Sequence, residues 1–324
     1  MNRWINRGLK ILVVGLVTVL LLELCFRFYA IDFYAAELNA LNPSLPEKDT
    51  KRETVLVFGD SFSANTASYV GKLNAQLPFQ FVNSAVSGTG VLEASFMAKS
   101  RIKRFKPKVV IYQIYVGNDL LDIKHRPTGE MSATRKVYHA ISDHIRVVKY
   151  LNYRLGQIRA NLYQDLAQVA VNEEEPFSAE RYTSRQKMIF KEESKYLENT
   201  LQLKNGRDQD FKTLAEKLHE IENRLDAEAD LIVMVVPHCA QVNETYFSRM
   251  RELEMEAEDL SENQFLLQLK NEFPSRTIVD VLPSFQAMDK PSNRLYKEND
   301  PHLSALGQAA LASTLQPYLE QLEK

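Results

Sequence analysis

Residues 54–62 read Thr-Val-Leu-Val-Phe-Gly-Asp-Ser-Phe, and the predicted fold is built outward from this stretch. Its first five residues are β-branched or aromatic and end at Gly59, which predicts a buried strand followed by a sharp turn. Residues 63–77 carry apolar side chains at three- and four-residue spacing, which predicts a helix packed on a core. Ser61 should therefore lie at a strand-to-helix turn. Main-chain N–H groups and the positive end of a helix dipole would favour negative charge on its oxygen there.

Four further apolar runs predict strands, and amphipathic helical patterns separate them. The runs are residues 79–82, 108–116, 231–236 and 277–281. Strands that alternate with helices imply an α/β fold with a mostly parallel five-stranded sheet covered on both faces. Between about residues 127 and 229 the pattern is polar and highly charged, and we interpret this stretch as a helical insertion. A final helix is predicted after Ser304, a residue type that caps helices well.

The composition is that of an ordinary globular protein and excludes several classes of function. The 324 residues are 45% hydrophobic and 25% charged, and the net charge of -2 does not favour nucleic acid as a partner. Only two cysteines are present, and we expect no disulfide between Cys25 and Cys239. The histidines lack the spacing of a zinc site, so we expect neither a metal nor another cofactor.

The N-terminal segment predicts a membrane-spanning helix. Basic residues precede an uninterrupted apolar run from Ile11 to Leu22. Residues 9–28 would form a helix about 30 Å long, enough to cross a bilayer core if Glu23 and Arg27 pair near one interface. The basic flank places the N-terminus in the cytoplasm and the rest of the chain outside. We favour an uncleaved anchor because no small-residue cleavage site follows the run. A cleaved signal peptide and a buried helix are the alternatives.

These segments predict three parts along the chain. Residues 1–31 form the membrane anchor and residues 32–53 a linker. Residues 54–324 form one domain that carries the insertion at about 127–229.

Polar residues suited to chemistry follow several of the predicted strands. Ser61, Gly88 and Asn118 come after the first three strands, and Asp300-Pro301-His302 comes before the last helix. In open parallel sheets ligands bind at the carboxyl ends of strands, so these four segments should meet at one edge.

This ordered set resembles the SGNH (GDSL-like) hydrolase family over about residues 54–120 and 295–323. The resemblance implies a flavodoxin-like three-layer sandwich and a serine hydrolase. It makes Ser61 the nucleophile, His302 the general base and acid, and Asp300 the group that orients the imidazole. The oxyanion hole would then consist of the main-chain N–H groups of Ser61 and Gly88 and the side-chain amide of Asn118.

One position departs from the pattern of many family members. They place the aspartate three residues before the histidine, where this chain has Asn299, whereas Asp300 is two residues before. Other members use the shorter spacing, so we assign the role to Asp300. A main-chain carbonyl, or no third group, is the alternative. We expect Asp60 and Asp119 to brace their loops, and His238 to be a loop histidine rather than a member of the site.

The leading hypothesis is an extracytoplasmic, membrane-anchored serine esterase or O-acyl hydrolase. Its substrates would be acyl esters, acetyl esters among them, of a glycan or a lipid. An O-acyltransferase with the same acyl-enzyme, and a non-catalytic envelope-binding module on an inherited scaffold, are the alternatives. The sequence does not select among substrates.

Overall fold

A parallel β-sheet is the centre of the computed structural model, which describes residues 3–28, 31–43, 52–124, 137–138, 141–142, 144–155 and 175–323. Within these residues the sheet order is β2-β1-β3-β4-β5, and every neighbouring pair is parallel. The strands are β1 (Thr54–Phe58), β2 (Gln80–Asn83), β3 (Val109–Tyr115), β4 (Asp230–Val236) and β5 (Thr277–Asp280). This is the flavodoxin-like order, so the predicted α/β fold with a parallel five-stranded sheet is confirmed.

The central strands form where the sequence is almost continuously apolar. All seven residues of β3 are buried, as are six of the seven residues of β4. Burial on both faces is typical of parallel sheets with helical layers above and below. The single side-chain amide in β3, that of Gln113, is fully buried and is hydrogen-bonded to the turn after β1.

Helices flank the sheet in two groups. On one side α12 packs against α3 and α11, and on the other α8 packs against α4 and α5. Right-handed crossovers place the two groups on opposite faces, which gives three layers. The helices are α1 (Arg3–Arg27), α2 (Ala35–Leu41), α3 (Tyr69–Gln76), α4 (Val91–Phe105), α5 (Asp119–Lys124), α6 (Ser184–Glu192), α7 (Tyr196–Gln202), α8 (Arg207–Glu222), α9 (Glu244–Glu252), α10 (Gln264–Glu272), α11 (Leu282–Met288) and α12 (Ala305–Glu320). As predicted, Ser304 caps α12, because its Oγ accepts a hydrogen bond from the Gly307 N–H at 3.1 Å.

The start of α3 corrects the prediction for residues 63–77. Residues 61–68 form successive turns, and the helix begins only at Tyr69. Local hydrogen bonds account for the delay, because the side chain of Asn65 accepts from the Ala67 N–H at 2.8 Å. Ser61 therefore lies in a turn after β1 and not at a helix N-terminus. The predicted help from a helix dipole at Ser61 is wrong.

The chain divides into two compact units. One comprises Met1–Ala35 and Pro127–Ala170, and the other comprises Ala36–Arg126 and Val171–Lys324. The second unit contains the sheet. The predicted insertion at about 127–229 contributes to both units, and its helix α8 packs against α4 and α5 in the sheet unit.

The predicted linker, residues 32–53, contains the helix α2. Just after it, the Asn42 side chain forms two hydrogen bonds of 2.8 Å with the main chain of Asn83, at the end of β2. These contacts join residue 42 to the sheet unit. The predicted domain boundaries themselves stay a prediction.

Among the described residues one helix is long and apolar enough to cross a membrane. It spans Arg7–Arg27, 21 residues near the N-terminus, within α1. By its length and composition this helix is consistent with a signal sequence or with a membrane anchor.

Candidate active site

Three of the predicted site residues follow neighbouring parallel strands. Ser61 follows β1, Gly88 lies in the loop after β2, and Asn118 follows β3. Because the carboxyl ends of parallel neighbours lie at one edge of a sheet, the three loops open at the same edge. His302, which precedes α12, reaches this edge through a contact with Ser61.

Ser61, His302 and Asp300 form a continuous chain of hydrogen bonds. The Ser61 Oγ lies 2.8 Å from the His302 Nε2, and the His302 Nδ1 is hydrogen-bonded to the Asp300 Oδ1. The same carboxylate oxygen accepts the main-chain N–H of His302 at 2.8 Å. The carboxylate two residues before the histidine therefore reaches the ring, so the structure brings together all three residues of the predicted triad.

The electrostatics of Asp300 determine which imidazole nitrogen carries the proton. Burial acts to raise the pKa of Asp300, but hydrogen bonds from His302 and the nearby Lys297 charge lower it below its usual value. An ionised carboxylate only accepts hydrogen bonds, so the His302 Nδ1 donates to it. The Nε2 then accepts the hydroxyl hydrogen of Ser61. This is the arrangement that a general base requires.

Aromatic rings hold the imidazole from the side. The ring of Phe62 lies 5.2 Å from that of His302, and it also packs against Tyr115 at 4.1 Å between centroids. Phe62 is fully buried. Phe62, the residue after Ser61, therefore restricts the orientation of the His302 ring.

Asp60 links the turn that carries Ser61 to Asn118. One of its carboxylate oxygens accepts the Phe62 N–H at 2.9 Å, and the other accepts the Asn118 Nδ2 at 3.2 Å. Burial raises the pKa of Asp60, while the hydrogen bonds from Phe62 and Asn118 act in the opposite direction. The bond to Asp60 uses one hydrogen of the Asn118 amide and leaves the second one for a ligand.

The main-chain donors predicted for an oxyanion hole have no competing acceptor. Among the residues that the structure describes, the N–H groups of Ser61 and Gly88 donate to no acceptor. Gly88 is exposed and has a φ of +72°, a left-handed conformation that disfavours any side chain. The structure thus leaves all three predicted donors available, and their joint role stays a prediction.

Sequence reasoning missed Gln113, whose side chain is hydrogen-bonded to the turn after β1. Its Oε1 accepts the Ser63 hydroxyl at 2.9 Å and the Asp60 N–H at 3.3 Å. A Cβ at Gly59 would lie 2.6 Å from that oxygen and 2.8 Å from the Ser63 Oγ, so a side chain there would displace the hydrogen-bonded pair. The available signal was a lone amide in an otherwise apolar strand.

Sequence reasoning also missed the structural role of Asn299, the residue three positions before His302. Its amide nitrogen donates to the carbonyl oxygens of Glu175 and Pro176 at 3.2 and 3.1 Å, and its Oδ1 accepts the Ser178 N–H at 2.8 Å. Its own carbonyl accepts the Thr183 N–H at 3.2 Å. Asn299 therefore holds residues 175–183 against the loop that carries Asp300 and His302.

Two further acidic residues brace the loop after β3. The Asp119 carboxylate accepts the Tyr115 N–H, a bracing role like the one predicted. Asp122 forms an ion pair of 2.8 Å with Arg185 of α6. Burial raises the pKa of Asp122 to about 6, although Arg185 opposes this shift.

His238 has a structural role rather than a place in the hydrogen-bond chain. Its Nδ1 accepts the Ala240 N–H at 3.1 Å, and its ring stacks on that of Tyr115. Burial lowers the pKa of His238 to about 3, so the ring is neutral near pH 7. This agrees with the expectation of a loop histidine.

Comparisons with known proteins find similarity in three dimensions only. No protein-family model and no curated protein matches the sequence. Solved structures that are similar include TesA, at 14% identity over 83% of this chain and 99% of that chain, with a TM-score of 0.43. A member of the lipolytic G-D-S-L family from Veillonella parvula covers the same shares at 11% identity and a TM-score of 0.42. A catalytic mutant of an acetylxylan esterase from Geobacillus stearothermophilus is 16% identical over 83% of this chain and 94% of that chain, with a TM-score of 0.39. Identities this low do not transfer an activity or a substrate to this chain.

Proposed function

We propose that the chain is a serine esterase of the SGNH (GDSL-like) type, anchored in a membrane and acting on acyl esters outside the cytoplasm. One observation carries the proposal, the hydrogen-bond chain from Ser61 through His302 to Asp300. A serine hydroxyl is a weak nucleophile near neutral pH unless a base removes its proton as it attacks. In this series of hydrogen bonds His302 supplies that base, and Asp300 supplies the carboxylate that orients it.

In the proposed first step the Ser61 Oγ attacks the carbonyl carbon of the ester while its proton passes to the His302 Nε2. Asp300 stabilises the imidazolium that results. The carbonyl oxygen becomes an oxyanion, which the N–H groups of Ser61 and Gly88 and the Asn118 amide would bind. When the intermediate collapses, His302 returns the proton to the leaving alcohol, and the acyl group stays on Ser61.

In the second step a nucleophile attacks the acyl-enzyme by the reverse sequence of proton transfers. Water releases the free acid, and a sugar or lipid hydroxyl would instead receive the acyl group. His302 is partly exposed, so solvent can reach the base. We therefore take water as the acceptor and assign the chain as a hydrolase.

The proposal of an uncleaved anchor is supported by the last turns of α1. The side chain of Phe26 is only 2% exposed and packs against the rings of Phe33 and Tyr150. The Glu23 carboxylate accepts the Val147 N–H at 3.0 Å. Cleavage after α1 would remove both side chains from this packed cluster, which favours retention of the helix.

The test uses a fluorophosphonate probe and the full-length chain in detergent. The parent chain should be labelled covalently, and Ser61→Ala should abolish labelling and ester hydrolysis. The matched control is Ser248→Ala, which changes an exposed serine on α9 and should preserve both. Equal labelling of the parent and the Ser61→Ala variant would refute the proposal.

A series of p-nitrophenyl esters from acetate to palmitate would then define the acyl group. A sharp preference for acetate would indicate deacetylation, as expected for an O-acetylated glycan. A preference for long chains would indicate a lipid. Repeating the assay with an acceptor polysaccharide separates hydrolysis, which releases free acid, from acyl transfer.

A further inference from the structure

The end of α1 is hydrogen-bonded to a second helical stretch, residues 146–155, within the same compact unit. Glu23 and Arg27 pair at 2.8 Å on one face of α1. Glu23 also accepts the Val147 N–H, and the Arg27 guanidinium donates to the His144 carbonyl at 2.8 Å. The charged pair therefore fixes where the stretch 146–155 begins relative to α1.

One face of this stretch is packed against aromatic side chains. The ring of Tyr150 lies 5.0 Å from Phe26 and 4.9 Å from Phe33, and Tyr153 lies 5.1 Å from Tyr34. Val147 is buried on the same side. The stretch is thus part of a folded cluster at the end of α1.

A second side of this stretch is apolar and exposed. Leu151 is 54% exposed and Leu155 is 65% exposed, and their four-residue spacing places them on one side of the helix. Val137 and Ile141, which precede the stretch, are also exposed. A helix with apolar side chains on a second, exposed side has surface suited to a second apolar contact there.

The hydrogen bonds to α1 indicate what that contact is. The exposed apolar side chains of α1 continue to Leu24, so Glu23 and Arg27 must lie close to one membrane interface. The stretch 146–155 starts at the level of this pair. Arg154 lies over the rings of Tyr150 and Tyr153, and arginine with tyrosine is the combination that favours the headgroup region.

We propose that residues 146–155 form a second membrane contact, in which Leu151 and Leu155 enter the boundary between headgroups and acyl chains of the bilayer. The partner is phospholipid, and the proposal rests on α1 being the membrane anchor of the proposed function. The chain would then hold the bilayer both by a spanning helix and by an interfacial one. A protein partner for the same face is the outcome that the experiment must distinguish.

The experiment places an environment-sensitive fluorophore on full-length chain reconstituted into pure phospholipid vesicles. Leu155→Cys is labelled in a background carrying Cys25→Ser and Cys239→Ala, since both native cysteines are free. The matched control is Leu267→Cys, at a leucine of α10 that is 50% exposed. Nitroxide lipids with the quencher near the headgroups should quench the label at 155 several-fold more than the label at 267.

A charge substitution provides the second measurement. Leu151→Glu should reduce quenching of the label at 155 several-fold, whereas Leu267→Glu should leave it unchanged. Equal quenching at 155 and 267 in vesicles that carry the protein through flotation would overturn the interfacial contact while leaving the anchor intact. Failure of the chain to float with vesicles would overturn both the anchor and this proposal. Shielding of the label only after other membrane proteins are added would identify a protein partner and overturn it too.

Discussion

Asp300 is the residue on which the orientation of His302, the proposed general base, depends. It contacts both the ring and the main chain of His302, and its low pKa keeps it ionised where the enzyme would work. The interaction is short-range, since the two residues are separated only by Pro301. This is why the pairing of Asp300 with His302 could be predicted from a local motif. Gln113 and Asn299 could not be predicted, because their partners lie far away in the chain, in the turn after β1 and in residues 175–178.

Replacing Asp300 by asparagine tests its orienting role. The amide would no longer accept the Nδ1 hydrogen strongly, and the imidazole could adopt the wrong tautomer. We expect kcat for p-nitrophenyl acetate to fall by about 10³- to 10⁴-fold. The control is Asp259→Asn, an exposed aspartate that caps a local turn, which should keep the activity of the parent. Activity of Asp300→Asn within a few-fold of the parent would assign the orienting role elsewhere.

Asn118→Ala tests the side-chain donor of the proposed oxyanion hole. Loss of one such donor costs about 2.7 to 4 kcal/mol of transition-state stabilisation, so kcat should fall by about 10²- to 10³-fold with little change in KM. The variant also removes a donor from buried Asp60. Unfolding should be measured in parallel, so that lost activity is compared at equal folded fraction. A rise in KM with unchanged kcat would place Asn118 in ground-state binding instead.

The buried His238 should make stability depend on pH. Its pKa of about 3 in the folded chain lies below the ordinary 6.5, so the unfolded chain binds the proton more readily. The contribution of the neutral His238 to the free energy of unfolding is complete above pH 6.5 and is lost as the pH falls towards 3. From pH 7 to pH 5 the free energy of unfolding should fall by about 2 kcal/mol more in the parent than in His238→Gln.

The pH dependence must be compared between the parent and His238→Gln, because burial also raises the pKa of Asp60, Asp119 and Asp122. These three carboxyl groups favour the folded chain as the pH falls, which opposes the effect of His238. Urea unfolding followed by circular dichroism in detergent, at both pH values, measures the difference. Identical pH dependence in parent and variant would contradict a neutral buried histidine.

At the scale of elements, the turn after β1 and residues 175–183 decide the local geometry. The helical periodicity of residues 63–77 predicted too early a start for α3. The spacing of apolar residues contains no information about the side-chain hydrogen bond by which Asn65 forms a turn. Asn299 occupies the position where a carboxylate would be expected in many SGNH hydrolases. Here an amide is needed, because the site must donate to two carbonyl groups as well as accept one N–H.

Asn299→Ala should release residues 175–183 from the histidine loop. Two carbonyl groups and one N–H would lose their partner, and we expect trypsin to cut at Arg181 at least several-fold faster. Asn299→Asp should behave similarly, because a carboxylate cannot donate. The matched control is Asn263→Ala, which removes a helix cap of α10 and should leave cleavage at Arg181 unchanged. Unchanged cleavage in Asn299→Ala would mean that other contacts hold the segment.

For the whole molecule, the alternation of apolar runs and helical patterns was sufficient to predict the sheet. All five strands lie within a few residues of their predicted positions, because buried parallel strands have continuous apolar sequences. The polar region at about 127–229 was harder to interpret. It includes α8, whose buried face packs on α4 and α5 although its charged outer face dominates its composition. Which residues form separate units depends on long-range contacts that periodicity does not encode.

In the proposed mechanism Ser61 carries the acyl group between the two half-reactions. The direct measurement is mass spectrometry of the full-length chain, quenched with acid during turnover of p-nitrophenyl acetate and digested. We predict an acetyl group on the peptide that contains Ser61, present in the parent chain and in Ser248→Ala and absent from Ser61→Ala and His302→Ala. Turnover without acetylation of that peptide, or acetylation that persists in Ser61→Ala, would contradict an acyl-enzyme on Ser61.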